Sequence, residues 1–597
     1  MCRIYGYLGN KLISDEILYK AAIYQINGGP DAQYIKKANG WALGNNRLAI
    51  QGLDGGVQPF YLNKINAVYN GEIYNHKELK SFLITKGYTF HDNCDGAVIV
   101  PLYELYGEDF VKYLDGMFVI TIIDERTTTK LIMVSDLSSI KSLYYYWDKV
   151  NDILYFSSEL ISLFAFNIPK KLRLEAVDEY LTGRAIWNNK TFFDDIYSLG
   201  PAALLIKTNG QEPKLSQYTS NISNNWDASL NFEETSHYLH HSLEKEMMQM
   251  VQSDVPVCLV TSGGLDSSYI TALASKHIPD LHCFNVAYEG NWPSDERFFA
   301  KEVSNYYGAK YHQVLIKENE FPNILKQTIH HLGQPNSAPH SLSTYALFKA
   351  VNEAGFKVAI TGEGADEYFG GYERFRKATF NQDPSWIDQY FDSMCATTQE
   401  MRNTVYAKAY KDFLNTSKYN ILANAKKEIL LKEKTMGRLK ALLHFDQDKR
   451  FTSYILRRVD HLSMASSVEV RVPFCQPRIS LFSKSLPDNF LLDENSVKRI
   501  IYQAAYGKLP QAILTRPKQP FTLPITAMLQ KGFILFDILY DTLSSKLFLS
   551  RGFFNNDEVK LLIDKQLNNP TADIADFLWS VMILELWLQH IDSNLSL

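Results

Sequence analysis

The sequence predicts two domains, an N-terminal α+β domain built on antiparallel sheet and a C-terminal α/β domain whose parallel sheet carries helices on both faces. Three observations predict this. At 597 residues the chain exceeds the size at which one hydrophobic core keeps growing. As far as Tyr218, short β-rich runs such as 67–69 and 118–123 alternate with Gly and Asn turns. Beyond a polar stretch, 219–227, rich in Asn, Ser and Thr, apolar strands alternate with helical segments. The domains are therefore placed at 1–218 and 228–597, with the polar stretch as linker.

In the second domain, 233–251 has helical spacing and leads to the apolar strand 255–260. Strands follow at 281–287 and 357–361, separated by helical segments, which is the alternation of a parallel sheet. Beyond Pro384 the pattern is mostly helical.

Composition excludes several classes. An apolar fraction of 46% with 21% charged residues is globular. Lys+Arg 61 against Asp+Glu 66 gives a net charge of -5 without a long basic block, so no nucleic acid partner is expected. Six scattered cysteines form no metal-type pair and fit a reduced, cytoplasmic protein. No uncharged apolar stretch reaches the ~18 residues of a bilayer span, and the N-terminus lacks a signal-peptide core, so no membrane association is expected.

Two short segments carry chemistry. Ser262-Gly263-Gly264-Leu265-Asp266-Ser267-Ser268 follows an apolar strand and opens a helix. Its glycines let backbone N–H groups and serine hydroxyls converge on phosphate oxygens at a helix N-terminus. It lacks the Gly-Lys-Ser/Thr ending that reaches β and γ phosphates, so it points to release of pyrophosphate. Asp266 is then a magnesium ligand, because a cation bridging phosphates is held by one or two carboxylates. At the other end, removal of Met1 exposes Cys2 with its own α-amine. That amine titrates near ~8 and can act as general base for its own thiol.

With both segments in one chain, the sequence resembles the glutamine-hydrolysing asparagine synthetase family, a class II glutamine amidotransferase joined to a synthetase domain. The resemblance covers nearly the whole chain. In the first half it rests on Arg47-Leu48-Ala49-Ile50, Tyr69-Asn70-Gly71-Glu72-Ile73-Tyr74-Asn75, Asp95, Leu114-Asp115-Gly116-Met117-Phe118 and Ser157-Ser158-Glu159-Leu160. In the second half it rests on the Ser262 loop, Gly362-Glu363-Gly364-Ala365-Asp366-Glu367, Gly370-Gly371-Tyr372, Ser463-Met464-Ala465, Glu469-Val470-Arg471-Val472-Pro473-Phe474 and Arg516-Pro517-Lys518-Gln519-Pro520-Phe521. Their collinear order is far more specific than any one motif.

The resemblance implies an Ntn-type antiparallel sandwich of class II glutaminases, followed by a doubly wound parallel sheet of the PP-loop ATP-pyrophosphatase type with added helices. Cys2 is then the nucleophile. Asn70 and Gly71 supply the oxyanion donors, as preorganised hydrogen bonds at that position require. Arg47, Asn70, Gly71, Glu72 and Asp95 bind glutamine, Arg47 by a bidentate fork on the α-carboxylate and Asp95 on the α-ammonium. Thr261, Ser262, Gly263, Gly264, Asp266, Ser267, Val286, Thr361 and Gly362 bind ATP, with adenine near Thr261, Val286, Thr361 and Gly362. Asp266 and Asp366 hold Mg2+. Glu363 handles the proton of the attacking ammonia, and Lys518 stabilises charge at the α-phosphate.

The implied reaction converts aspartate, glutamine and ATP to asparagine, glutamate, AMP and pyrophosphate through a β-aspartyl adenylate. Two alternatives stay open: a specialised amidotransferase or macrolactam-forming ligase acting on another carboxylate, and a catalytically inactive regulatory homologue. Retention of Cys2, Asn70, Asp266, Glu363, Asp366 and Lys518 speaks against the last. Homodimer formation is also left open. The chain departs from the family pattern at 94–97 and 135–144, where contacts between the domains are expected to change. It departs again at Gly333-Gln334-Pro335, Asp460-His461 and Cys475-Gln476, read as neutral drift at a domain surface in preference to changed specificity.

Overall fold

Side chains alternate across a strand, and in the first domain that alternation buries both faces of two sheets. The computed structural model describes residues 2–223, 225–292, 295–417, 420–516 and 522–595. Its strands before the linker are β1 (Cys2–Leu8), β2 (Ala32–Ala38), β3 (Trp41–Arg47), β4 (Phe60–Leu62), β5 (Ile65–Ile73), β6 (Gly116–Asp124), β7 (Lys130–Ser135), β8 (Tyr144–Asp148), β9 (Ile153–Ser157), β10 (Ile196–Ser198), β11 (Ala203–Thr208) and β12 (Lys214–Gln217). They form two antiparallel sheets, ordered β10-β8-β9-β1-β3-β2 and β12-β11-β7-β6-β5-β4. Ile4, Leu8, Trp41 and Leu43 of the first meet Val68, Val119, Ile123 and Met133 of the second in a shared core. Tyr69 and Ile73, pointing the other way, pack against the helix His76–Thr85 through Leu79 and Leu83. The expected sandwich is the observed one.

The second domain holds a parallel sheet of β13 (Val257–Val260), β14 (His282–Tyr288), β15 (Lys310–Ile316), β16 (Val358–Ile360) and β17 (Glu469–Arg471), ordered β15-β14-β13-β16-β17. The chain moves outward from β13 through β14 to β15 and then returns to lay β16 on the other side of β13. That reversal makes a topological switch point between β13 and β16, where ligands of open α/β sheets bind at the carboxyl ends of the strands. The strand β17 interrupts a tail that is otherwise mostly helical, as its pattern led us to expect. It is three residues long, and Glu469 and Arg471 flank a single apolar Val470, so no apolar run announces it.

The helix Phe232–Met250 opens with a capping box in which Asn231 accepts from Glu234 N–H and Glu234 from Asn231 N–H. Near the C-terminus, Ala572–Ser593 is long and apolar enough to cross a membrane, with a mean hydropathy of 1.3, although Asp573, Asp576, Glu585 and Asp592 interrupt it. It is a packed helix here. Trp579 Nε1 donates to Ser337 O and Trp587 Nε1 to Gly333 O, each at 3.1 Å, and both rings are buried.

Candidate functional site

Cys2 begins β1 and faces β5 across the sandwich. The Cys2 backbone nitrogen donates to Asn70 Oδ1 at 3.2 Å, which fixes the amide so that Nδ2 is the remaining donor. Asn70 Nδ2 is buried and has no acceptor among the described residues. An oxyanion-hole donor must be held in this state before substrate arrives. Gly71 is required by close approach: a Cβ there would lie 2.0 Å from the Met117 carbonyl oxygen. Gln58, which the sequence reading missed, donates from Nε2 to Cys2 Sγ at 3.4 Å and accepts from Tyr69 N–H at 2.7 Å. Burial pushes the Cys2 thiol up from its ordinary range, and Arg47 is among the groups opposing that shift. Deprotonation therefore needs a base at hand, which a free α-amine on the same residue provides.

Cys2, Arg47, Gln58, Glu72 and Asp95 line one cavity. Arg47 is tethered by Nη2 to the Gly52 carbonyl at 2.7 Å. Asp95 accepts from Ile73 N–H at 2.7 Å and from the Tyr69 hydroxyl, so its carboxylate is oriented from two sides. Glu72 reaches past the cavity. Its Oε1 lies 3.7 Å from Arg471 Nη2 in the second domain, and burial together with the Glu469 charge raises it well above the ordinary carboxyl range.

At the switch point, Ser262–Gly264 cap the helix Leu265–Ala274. Gly263 has φ +77°, and a Cβ would lie 2.5 Å from Ala300 N, so only glycine fits. Ser262 N–H donates to Ser267 Oγ at 3.1 Å and Gly264 N–H to Ser262 Oγ at 3.2 Å. Arg516 Nη1 donates to the Gly263 carbonyl at 2.9 Å, and Glu296 holds the same guanidinium at 2.5 Å. Thr261, Thr361 and Gly362 follow β13 and β16, and Val286 lies on β14, which places the expected adenine contacts along one edge. Thr361 Oγ1 is buried without a partner among the described residues. Gly362 packs so closely on the helix start that a Cβ would be 2.9 Å from Ser267 N.

Asp266 and Asp366 converge as expected. Between them lies the ammonium of Lys498, 2.6 Å from Asp266 and 2.9 Å from Asp366, a residue that no motif had singled out. The two carboxylates raise the Lys498 amine above its ordinary range against the cost of its burial. Two carboxylates on adjacent loops beside a phosphate cradle fit magnesium, which takes one or two protein carboxylates and completes its shell with phosphate and water. No cluster of three or more His, Cys, Asp or Glu suited to a metal occurs among the described residues.

Glu363 is half-buried on the same loop, and burial with the Asp366 charge raises its carboxyl, against which Arg458 acts. Lys518 falls outside the described residues, with the rest of its motif from Pro517 to Phe521. The departures attributed to a domain surface are in fact buried: His461 is 2% exposed and Cys475 1%. They form the contact between domains. Asp460 binds Arg3 Nη1 at 2.9 Å and Lys141 at 3.5 Å, Tyr144 Oη meets His461 Nε2 at 3.2 Å, and Ser138 Oγ meets Tyr368 Oη at 2.7 Å.

Buried Cys2 with a poised amide donor, joined to a phosphate cradle at a sheet switch point, defines a two-centre amidotransferase. Comparison with known proteins narrows the class. The chain belongs to the asparagine synthase family: the asparagine synthase model matches residues 239–589, and a glutamine amidotransferase domain model matches 1–219. It is 26% identical over 624 residues to glutamine-hydrolysing asparagine synthetase 1 of Bacillus subtilis (strain 168), covering 98% of this chain and 96% of that protein. It is 27% identical over 528 residues to asparagine synthetase 3 of the same organism, covering 83% and 82%. Amidase chry2 of Gibberella zeae is 29% identical over 382 residues, covering 60% of this chain and 56% of that one.

Proposed function

We propose that this chain makes asparagine from aspartate, drawing nitrogen from glutamine and energy from ATP. The observation that carries the reading is the presence, in one chain, of Cys2 with Asn70 at one centre and of the Ser262 loop with Asp266 and Asp366 at the other. The Cys2 thiolate attacks the glutamine amide, Asn70 Nδ2 and Gly71 N–H stabilise the oxyanion, ammonia leaves, and water then hydrolyses the γ-glutamyl thioester to free glutamate and Cys2. At the second centre the aspartate β-carboxylate attacks the α-phosphorus of ATP, pyrophosphate departs, and ammonia attacks the β-aspartyl adenylate, forming the amide as AMP leaves. Glu363 takes the proton of the resulting ammonium, a role suited to a carboxyl raised by burial. Asp266 and Asp366 would hold magnesium, which supplies charge neutralisation on the departing pyrophosphate. On its motif, Lys518 is the cation for the α-phosphate.

A second reading, transfer to another carboxylate, is favoured by the 29% identity to amidase chry2. The division of labour is tested by Cys2→Ala. With glutamine the variant should lose product formation, whereas with ammonium it should retain it, because the two centres are chemically separate. Loss of both in a folded variant rejects the scheme.

A further inference from the structure

Residues Asp446–Leu456 form a π-helical stretch, a rare geometry frequently found at functional sites. Its Arg450 is 8% exposed and stacks on Tyr454 at 4.4 Å. Arg450 Nε and Nη1 are buried without a hydrogen bond among the described residues, and the nearest carboxylate oxygen, on Asp446, is 3.9 Å away. Asp446 is already engaged by Arg374 at 3.0 Å. Arg458, one helix later, is 3% exposed and contacts His340, with its Nε also unpartnered. His340 cannot neutralise it, since an imidazole is neutral or cationic and never an anion. Arg374 and Arg450 thus share one buried carboxylate, and buried charge that is incompletely paired is costly, so an entering anion would be stabilised here.

The position says which anion. Phe451, adjacent to Arg450, comes within 3.4 Å of a Cβ placed on Gly364, and Arg450 lies 5.9 Å from the Tyr372 ring, whose hydroxyl donates to Glu367. Arg458 is the basic group acting on Glu363. The excess positive charge therefore borders the acceptor end of the site, while the Ser262 loop provides the phosphate cradle. We propose that Arg450, flanked by Arg458, is a specificity-determining anion subsite that holds a second carboxylate of the acceptor and so selects dicarboxylic acids. This rests on the amide-synthetase reading and adds to it the residue that reads the acceptor.

The test is ATP-dependent pyrophosphate release by the full chain with ammonium, comparing aspartate, succinate and butyrate as acceptors in the parent, Arg450→Gln and Arg450→Lys. Loss of a charged hydrogen bond should raise the KM for aspartate and succinate roughly ten- to a hundredfold in Arg450→Gln, with partial rescue in Arg450→Lys and the KM for ATP held. A rise in the KM for ATP of the same size would assign Arg450 to the nucleotide phosphates and overturn the subsite. An equal rise for butyrate and succinate would overturn it as well. A parent that prefers butyrate overturns the subsite and leaves amide synthesis standing; a parent that activates no carboxylic acid overturns both.

Discussion

Arg471 Nη2 lies 3.7 Å from Glu72 Oε1, and the Arg471 carbonyl accepts from Thr361 N–H at 3.0 Å. One residue of β17 thus reaches Glu72, which lines the Cys2 cavity, with its side chain and Thr361 at the end of β16 with its backbone. Its Nε also binds Glu469 at 2.6 Å, so one guanidinium serves two buried carboxyls.

Breaking a buried ion pair from one side costs about 3–5 kcal/mol. Arg471→Gln should therefore lower the denaturation midpoint of the full chain sharply, and adding Glu72→Gln should restore part of the loss. Equal stability of parent and Arg471→Gln would show that this cluster does not hold the domains together.

Lys498 neutralises Asp266 and Asp366 in the absence of nucleotide. Lys498→Met leaves two carboxylates to repel one another, at a cost of roughly 3 kcal/mol. Millimolar Mg2+ without nucleotide should then raise the melting temperature of the variant more than that of the parent. The same response in both would mean that the carboxylates do not accept the ion.

Glu296, bound to Arg516 behind the phosphate loop, is pushed up to about 7 by burial. Between its ordinary value near ~4.5 and 7 the folded chain keeps a proton that the unfolded chain releases, so stability from this group falls as pH rises through that window. The contribution is on the order of 3 kcal/mol. Glu296→Gln should flatten the fall between pH 5 and 7; an unchanged slope would place the titration elsewhere.

Glu363→Gln keeps size and hydrogen-bonding capacity but loses the base. Pyrophosphate release should continue while amide formation drops, a separation that product analysis with ammonium reads directly. Amide formed at the parental rate would remove Glu363 from the proton path.

The fold was legible where periodicity is strong. The apolar runs of β5, β6, β13 and β14 and the helix Phe232–Met250 stand out, and the glycines of the Ser262 and Gly362 loops locate the switch point. Cys2, Arg47 and Asp95 are far apart in sequence yet line one cavity, and Asn70 holds the Cys2 backbone beside it. What stayed hidden has no local pattern. Lys498 approaches Asp266 and Asp366 from across the domain, Gln58 reaches Cys2 from a loop, and β17 is too short to show alternation. The charge changes at Asp460-His461 looked superficial because sequence does not reveal that Arg3, Lys141 and Tyr144 of the other domain cover them.

The central claim is that amide nitrogen from glutamine ends on an aspartate carboxylate activated by ATP. Its most direct measurement supplies glutamine labelled with 15N in the side-chain amide, together with ATP, magnesium and aspartate, and follows the label and AMP together. The account predicts 15N-asparagine and AMP in equal amounts, both abolished by Cys2→Ala. Label released only as free ammonium, or AMP formed only with a carboxylic acid other than aspartate, would contradict it.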